Sequence, residues 1–205
     1  MRTLRSKDLL DLSSILDDDV EVVEVLDAVP DAARAFAEDL LAHRRLPVPY
    51  QAWCAAADDA DPDCVTLDSA LGLFTDAKAH AEFSSWLQDL IEGFACLNDV
   101  SGVGIRLSHL RGPMCPRFHV DHVPSRMIVP LTGPGTEWLP DAVVRRDCDG
   151  RIAQDVTPEA VQRLAPGSLG LFKGAGFDDG RARGVVHRSP PGNDARVLLT
   201  LDALL

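Results

Sequence analysis

The apolar positions follow two different periods, and the change falls near the middle of the chain. Segment 30–44 (PDAARAFAEDLLAHR) opens with proline and acids and closes with basic residues, the order a helix dipole favours, and predicts a helix. Segment 76–97 predicts a second, with Asp76 as N-cap. Phe83, Trp86, Leu87, Leu90, Ile91 and Phe94 recur there at helical spacing. That aromatic stripe reads as core packing. The acidic run ADDADPD at 57–63 reads as a solvated loop, because it lacks the ligand spacing of a calcium loop. The first hundred residues are therefore predicted to be mainly helical.

From about residue 103 the pattern changes to short strands and turns. VGIRLSHL (103–110), Cys115–Val123 and Arg126–Leu131 predict strands punctuated by Gly112-Pro113 and Pro124. The turn Gly133-Pro134-Gly135 leads into Thr136-Glu137-Trp138. SLGLFKG (168–174), GVVHRS (184–189) and ARVLLTLD (195–202) predict the closing strands. Residues 157–165 (TPEAVQRLA) predict one short helix, with Thr157 as N-cap and Pro158 in its first turn. No internal repeat is present. A helical layer followed by seven or eight short strands predicts an α+β chain. It is expected to form a single domain over 1–205: a small barrel or jelly roll at 101–205 backed by helices at 1–100.

Composition narrows the class. Hydrophobic residues make up 46% and charged residues 25%, ordinary for a globular protein. No stretch is long and apolar enough to cross a bilayer, and the N-terminus lacks the uninterrupted apolar segment of a signal peptide. The five cysteines include no CxxC pair, so the sequence predicts a reducing, cytoplasmic setting. Net charge is −12 but uneven: residues 1–100 carry 7 basic and 21 acidic side chains, residues 101–205 carry 13 and 11. In the second half every basic residue but Lys173 is arginine. Its planar fork suits an anionic small molecule, although two compensating surfaces would give the same asymmetry. The overall acidity argues against nucleic-acid binding.

The chemistry concentrates in His119-Val120-Asp121, His187 and Arg196. On a strand, a single intervening residue puts His119 and Asp121 on one face, and His187 lies on a late strand able to run beside them. Two imidazoles and one carboxylate form the smallest set that grips a ferrous ion on one side and leaves the other side open. Arg196 shares a strand face with Leu198, Thr200 and Asp202; that face lines the barrel, or else Val197, Leu199 and Leu201 face the core and Arg196 is exposed. Lys173 and Arg126 are rival anchors for an anion. His122 points away from the other two ligands on a regular strand. A bulge would turn it inward and, with Cys115, make the cluster a zinc set, but bulges are the rarer event. Cys115 reads as a small buried hydrophobe. The stretch Gly133–Trp138 reads as a hairpin turn or as a rim of the mouth, with Trp138 stacking on substrate or capping the barrel. Arg188 and Ser189 flank a ligand and are placed to support it. No nucleophile elbow or glycine-rich phosphate loop is present.

The order His119-x-Asp121, His187, Arg196, with the strands PGSLGLFKG, GVVHRSPP and ARVLLTLD, resembles the iron(II)/2-oxoglutarate-dependent dioxygenases and their double-stranded β-helix. More closely, CPRFHVDHVPSRMIVPLTGPGTEWL with KG…GVVHRSPP is similar to an uncharacterised bacterial family often encoded near zinc-homeostasis genes. The resemblance covers about residues 100–202. It implies that His119, Asp121 and His187 bind iron(II) and that Arg196 binds the distal carboxylate of 2-oxoglutarate. It further implies oxidation of a small-molecule or peptide substrate. Many members of the superfamily carry a serine two residues after the arginine, where this chain has Leu198, and a tyrosine on the oxo acid, whereas Tyr50 is the only tyrosine here. Zinc(II) bound by the same cluster, without oxygenase activity, is the alternative. The oligomeric state is not specified by the sequence.

Overall fold

The computed structural model describes residues 1–43, 50–55, 77–177 and 182–204; the acidic run 57–63 and Asp76 lie outside them. Two helices form where the apolar spacing places them, α1 (Asp31–His43) and α2 (Ala77–Asn98). On α2, Phe83, Leu87, Ile91 and Phe94 are buried, and Phe36 of α1 stacks on Phe83 with ring centroids 3.9 Å apart. The stripe is core, as its spacing requires.

The first hundred residues are not mainly helical, however. They also hold β1 (Arg2–Ser6), β2 (Val20–Val25) and β3 (Tyr50–Ala55). β2 is buried at all six positions, so it shows no alternation to betray it. The second half supplies β4 (Gly102–Leu110), β5 (Ser125–Thr132), β6 (Glu137–Leu139), β7 (Gln162–Arg163), β8 (Leu169–Lys173), β9 (Val186–Arg188) and β10 (Arg196–Leu204).

These strands make an α+β architecture with two sheets. The large one runs β1-β2-β8-β5-β10-β4-β3, with only β1 and β2 parallel, and the small one runs β7-β6-β9. The large sheet is covered on both faces. Val197, Leu199 and Leu201 of β10, Val103, Ile105 and Leu107 of β4, and Met127 and Val129 of β5 pack beneath the helices. On the other face Leu198, Ile128 and Phe172 meet Trp138 of the small sheet. Each such side chain contributes roughly 1.5–3 kcal/mol on burial. A slip of β10 by one residue would push Arg196 and Thr200 into the helix-side core, which pins the register.

Three predicted features differ. Cys115–Val123 is not a regular strand: its one β-bridge among the described residues joins His119 to His187, and Pro116 has no N–H to extend a ladder. Residues 157–165 form one 3₁₀ turn at Pro158–Ala160 with no side-chain cap from Thr157, because Gln162 and Arg163 are captured by β6. Trp138 neither stacks at the mouth nor caps it. It is 0% exposed and meets Phe172 edge-on at 5.6 Å. Among the described residues no helix is long and apolar enough to cross a membrane.

Candidate metal and anion site

Backbone pairing, rather than alternation along one strand, brings the two imidazoles together. His119 and His187 exchange N–H···O bonds of 3.0 and 2.9 Å, which places their rings 4.5 Å apart. Asp121 is then fixed by its own backbone. Its carbonyl accepts from the Ala175 N–H at 2.8 Å, and the Gly174 N–H bonds to the Pro124 carbonyl at 2.8 Å. The approach is so close that a Cβ on Gly174 would stand 1.9 Å from the Val123 carbonyl oxygen. Glycine is therefore required where the chain turns away after β8.

The ring nitrogens are sorted for ligation. His119 Nδ1–H donates to the Arg117 carbonyl at 2.9 Å and His187 Nδ1–H to the Val185 carbonyl at 3.0 Å. Both Nε2 atoms are thereby turned towards Asp121, 3.6 Å from Oδ1 for His119 and 3.1 Å from Oδ2 for His187. A backbone partner on the far nitrogen is the usual means of fixing the tautomer of a metal-binding histidine. One ligand atom from each of the three residues falls within 4.8 Å of the others, the single such group among the described residues. Phe172 closes one side, edge-on to His187 at 5.7 Å.

Burial works to raise the Asp121 pKa, but hydrogen bonds from His119 and His187 and the charge of Arg126 outweigh it and hold the carboxyl well below its ordinary range. The bond to Asp121 outweighs burial at His119 and raises that imidazole above its usual value. Metal-free, His119 stabilises the fold fully below pH ~6.5 and loses that contribution as pH rises through its raised value. The Asp121 contribution is present above pH ~4 and is lost as pH falls through its lowered one. An arriving cation must displace the His119 proton. Affinity for a divalent ion is accordingly expected to fall by about tenfold per pH unit once pH drops below the raised His119 value, as read from competition titrations between pH 6 and 8. Flat affinity across that range would contradict the assignment of His119.

Arg126 sits behind the carboxylate. Asp202 lies directly opposite it in the β5–β10 register and accepts from its Nε and, at 2.9 Å, its Nη2, while Nη1 donates to Asp121 Oδ2 at 2.6 Å. The fork is spent on two acids of the protein, so Arg126 is not a free anion anchor. Replacing it with methionine would leave Asp202 without its counter-ion and Asp121 with only the two imidazoles. The expected cost is on the order of 3 kcal/mol in urea unfolding at neutral pH. An unchanged urea midpoint would show that the fork does not hold the two strands.

Arg196 is the opposite case. It is 2% exposed, Nη1 and Nη2 have no hydrogen-bond partner among the described residues, and burial lowers its pKa. The two alternatives for β10 are both partly met: Val197, Leu199 and Leu201 do face the helical core, and Arg196 is nevertheless buried on the other face. Gly133, at φ +74°, turns tightly over it, where a Cβ would lie 2.6 Å from Arg196 Cβ. Beside it Ser108 stands directly opposite Leu198, is 1% exposed, and has an unpartnered hydroxyl. Ser108, Thr200 and Arg106 line a small cavity together with His119, His187, Arg126, Arg188 and Cys115.

Other expected site residues lie elsewhere. Lys173 is buried, donates Nζ–H to the Asp17 carbonyl at 2.7 Å, lies over the Phe177 ring, and does not line the cavity. His122 is exposed and outside the ligand group. Cys115 is exposed too, not a buried hydrophobe, although its backbone pairs with Ser189 at the cavity rim. Arg188 supports the site by donating to buried Glu137 at 2.8 Å and covering Phe118. Gln154, which bonds both backbone groups of Phe118 just before His119, had no signature in the sequence. A larger apolar groove of ≈ 490 Å³, between residues 9–13 and α2, carries no comparable ligand set.

With this geometry in hand, comparison with known proteins is informative. A family model described as "Protein of unknown function (DUF1826)" matches residues 6–202. The chain belongs to that family. No curated protein matches it. Among solved structures, a dioxygenase for auxin oxidation from rice is similar to it at a TM-score of 0.56 and 14% identity, over 100% of this chain and 83% of that one. Dioxygenase for auxin oxidation 1 from Arabidopsis thaliana, solved with 2-oxoglutarate, is similar at a TM-score of 0.60 and 12% identity, over 100% and 92%. At such identities the likeness is one of fold, and this DUF1826 chain shares it with dioxygenases along its whole length.

Proposed function

We propose that this DUF1826 protein is an iron(II)- and 2-oxoglutarate-dependent oxygenase of the hydroxylase type, acting on a small or peptidyl substrate. One observation carries the reading: a His–Asp–His ligand group and an arginine buried without a partner among the described residues belong to the same sandwich of sheets. Strand order supports a double-stranded β-helix. β4, β10, β5 and β8 are consecutive in the large sheet, and β9, β6 and β7 in the small one are joined at the His119 bridge by the preceding segment.

The residues fit the cofactor pair. Two neutral Nε2 donors and one carboxylate suit iron(II) and leave open positions on its far side. Arg196 would hold the distal carboxylate of the oxo acid by a charge-assisted fork, and Ser108 would supply the hydroxyl that Leu198 lacks. Bound there, iron(II) would let dioxygen act as the oxidant of a substrate C–H bond, with 2-oxoglutarate supplying the other two electrons by its decarboxylation to succinate. The chain contributes orientation and exclusion of water: the Arg126–Asp202 fork sets the Asp121 carboxylate, and Phe172 shields His187. The zinc alternative loses its extra donors, because His122 and Cys115 stand outside the ligand group.

In air, with iron(II) and 2-oxoglutarate, the protein is expected to form succinate slowly even without primary substrate. Zinc(II) should not replace the iron. Folded protein that forms no succinate above a protein-free blank would contradict the reading.

A further inference from the structure

Oxo-acid binding at Arg196 leaves a second cation unanswered. Three arginines line the cavity, Arg106, Arg126 and Arg188, and no aspartate or glutamate does so among the described residues. Arg126 is neutralised by Asp121 and Asp202, and Arg188 by Glu137. Arg106 has no acidic partner among the described residues, and its Nε is buried without a hydrogen bond. Thr200 stands directly opposite it on β10, 7% exposed, with its hydroxyl also unpartnered. A guanidinium and a hydroxyl on adjacent strands thus face one cavity, with Arg106 Nε and the Thr200 hydroxyl unpartnered among the described residues.

Arg106 is not a second hand on the same carboxylate as Arg196. In register it pairs with Thr200, four residues from Arg196 and so roughly 14 Å along the strand. Asp202, the next residue on that face, bonds the arginine that holds Asp121, so Arg106 lies towards the metal ligands. Arg196 is sealed, whereas Arg106 is half-buried at a cavity that opens to solvent. A partly desolvated guanidinium is complemented by an anion bound through its fork. One guanidinium with one hydroxyl balances a single negative charge, as on a carboxylate, and would leave a phosphate dianion half unmet.

We propose that Arg106, with Thr200, receives the carboxylate of the primary substrate, so that the substrate is a small carboxylic acid rather than a neutral or cationic compound. This rests on the oxygenase reading above. The test uses anaerobic full-length protein loaded with iron(II) and saturating 2-oxoglutarate, with the visible band of the chelated oxo acid recorded on each sample. Propionate and propionamide, matched in size, are then titrated by saturation-transfer NMR. Propionate is expected to bind without lowering the band, and propionamide to bind at least tenfold more weakly. Arg106→Met should weaken propionate at least tenfold while the oxo-acid band keeps its half-saturation; Thr200→Val, a near-isosteric change, should weaken it about threefold. Equal binding of acid and amide, or propionate binding unchanged in both variants, would overturn the proposal. So would a rise in the 2-oxoglutarate half-saturation of Arg106→Met, which would put Arg106 on the oxo acid. Absence of the band in the wild type overturns the oxygenase reading itself, whereas a normal band with unselective binding overturns only the substrate assignment.

Discussion

Replacing Asp121 with alanine is expected to weaken iron(II) binding by at least about a thousandfold, or about 4 kcal/mol, and to abolish oxo-acid turnover in a chain that stays folded. The carboxylate is the only anionic group in the ligand set, and both Nε2 atoms are aimed at it. Folding survives because Asp202 keeps two bonds to Arg126 when Asp121 is gone. His187→Ala is expected to behave alike, while His122→Ala and Cys115→Ala leave affinity unchanged. Iron titration followed by circular dichroism on each variant separates the cases. Tight binding by Asp121→Ala, or its loss in His122→Ala, would show that a different donor set holds the metal.

Arg196→Met is expected to move two observables in opposite directions. The wild-type guanidinium is buried without a partner among the described residues, so an apolar side chain of similar length removes a desolvation cost. The ligand-free variant should gain on the order of 1–3 kcal/mol in urea unfolding. Affinity for 2-oxoglutarate should fall by about a hundredfold or more, because a fork-bound carboxylate loses its counter-ion. A surface arginine predicts neither change, and a structural arginine predicts lost stability. Only an anion receptor gives both results together.

How far the sequence reveals this molecule depends on which interactions are local. α1 and α2 are legible because a helix writes its buried face every three to four residues, as Phe83, Leu87, Ile91 and Phe94 do. β4, β5, β8, β9 and β10 are legible from short apolar runs between turn residues. β2 is not, because VEVVEV is covered on both faces and its two glutamates suggest a solvated face. In the candidate site, His119, Asp121 and His187 are legible as residue types in order, but the reason these three converge is not. The chain at Cys115–Val123 is no regular strand, and the contact of Gly174 with the Val123 carbonyl holds Asp121 in place. The Arg126–Asp202 fork depends on β5 lying beside β10, a pairing across 76 residues with no local trace. Arg106 and Ser108 were nearer to hand: two polar residues spaced by one on a strand whose other polar residue is His109 mark a face turned towards something polar.

The most direct test of the account is an anaerobic titration of metal-free protein with iron(II) and 2-oxoglutarate, monitored at the visible charge-transfer band of the chelated oxo acid. The account predicts a saturable band that is lost in His187→Ala and needs far more 2-oxoglutarate in Arg196→Met. Folded wild-type protein that shows no band, or a band of full height in His187→Ala, would contradict it.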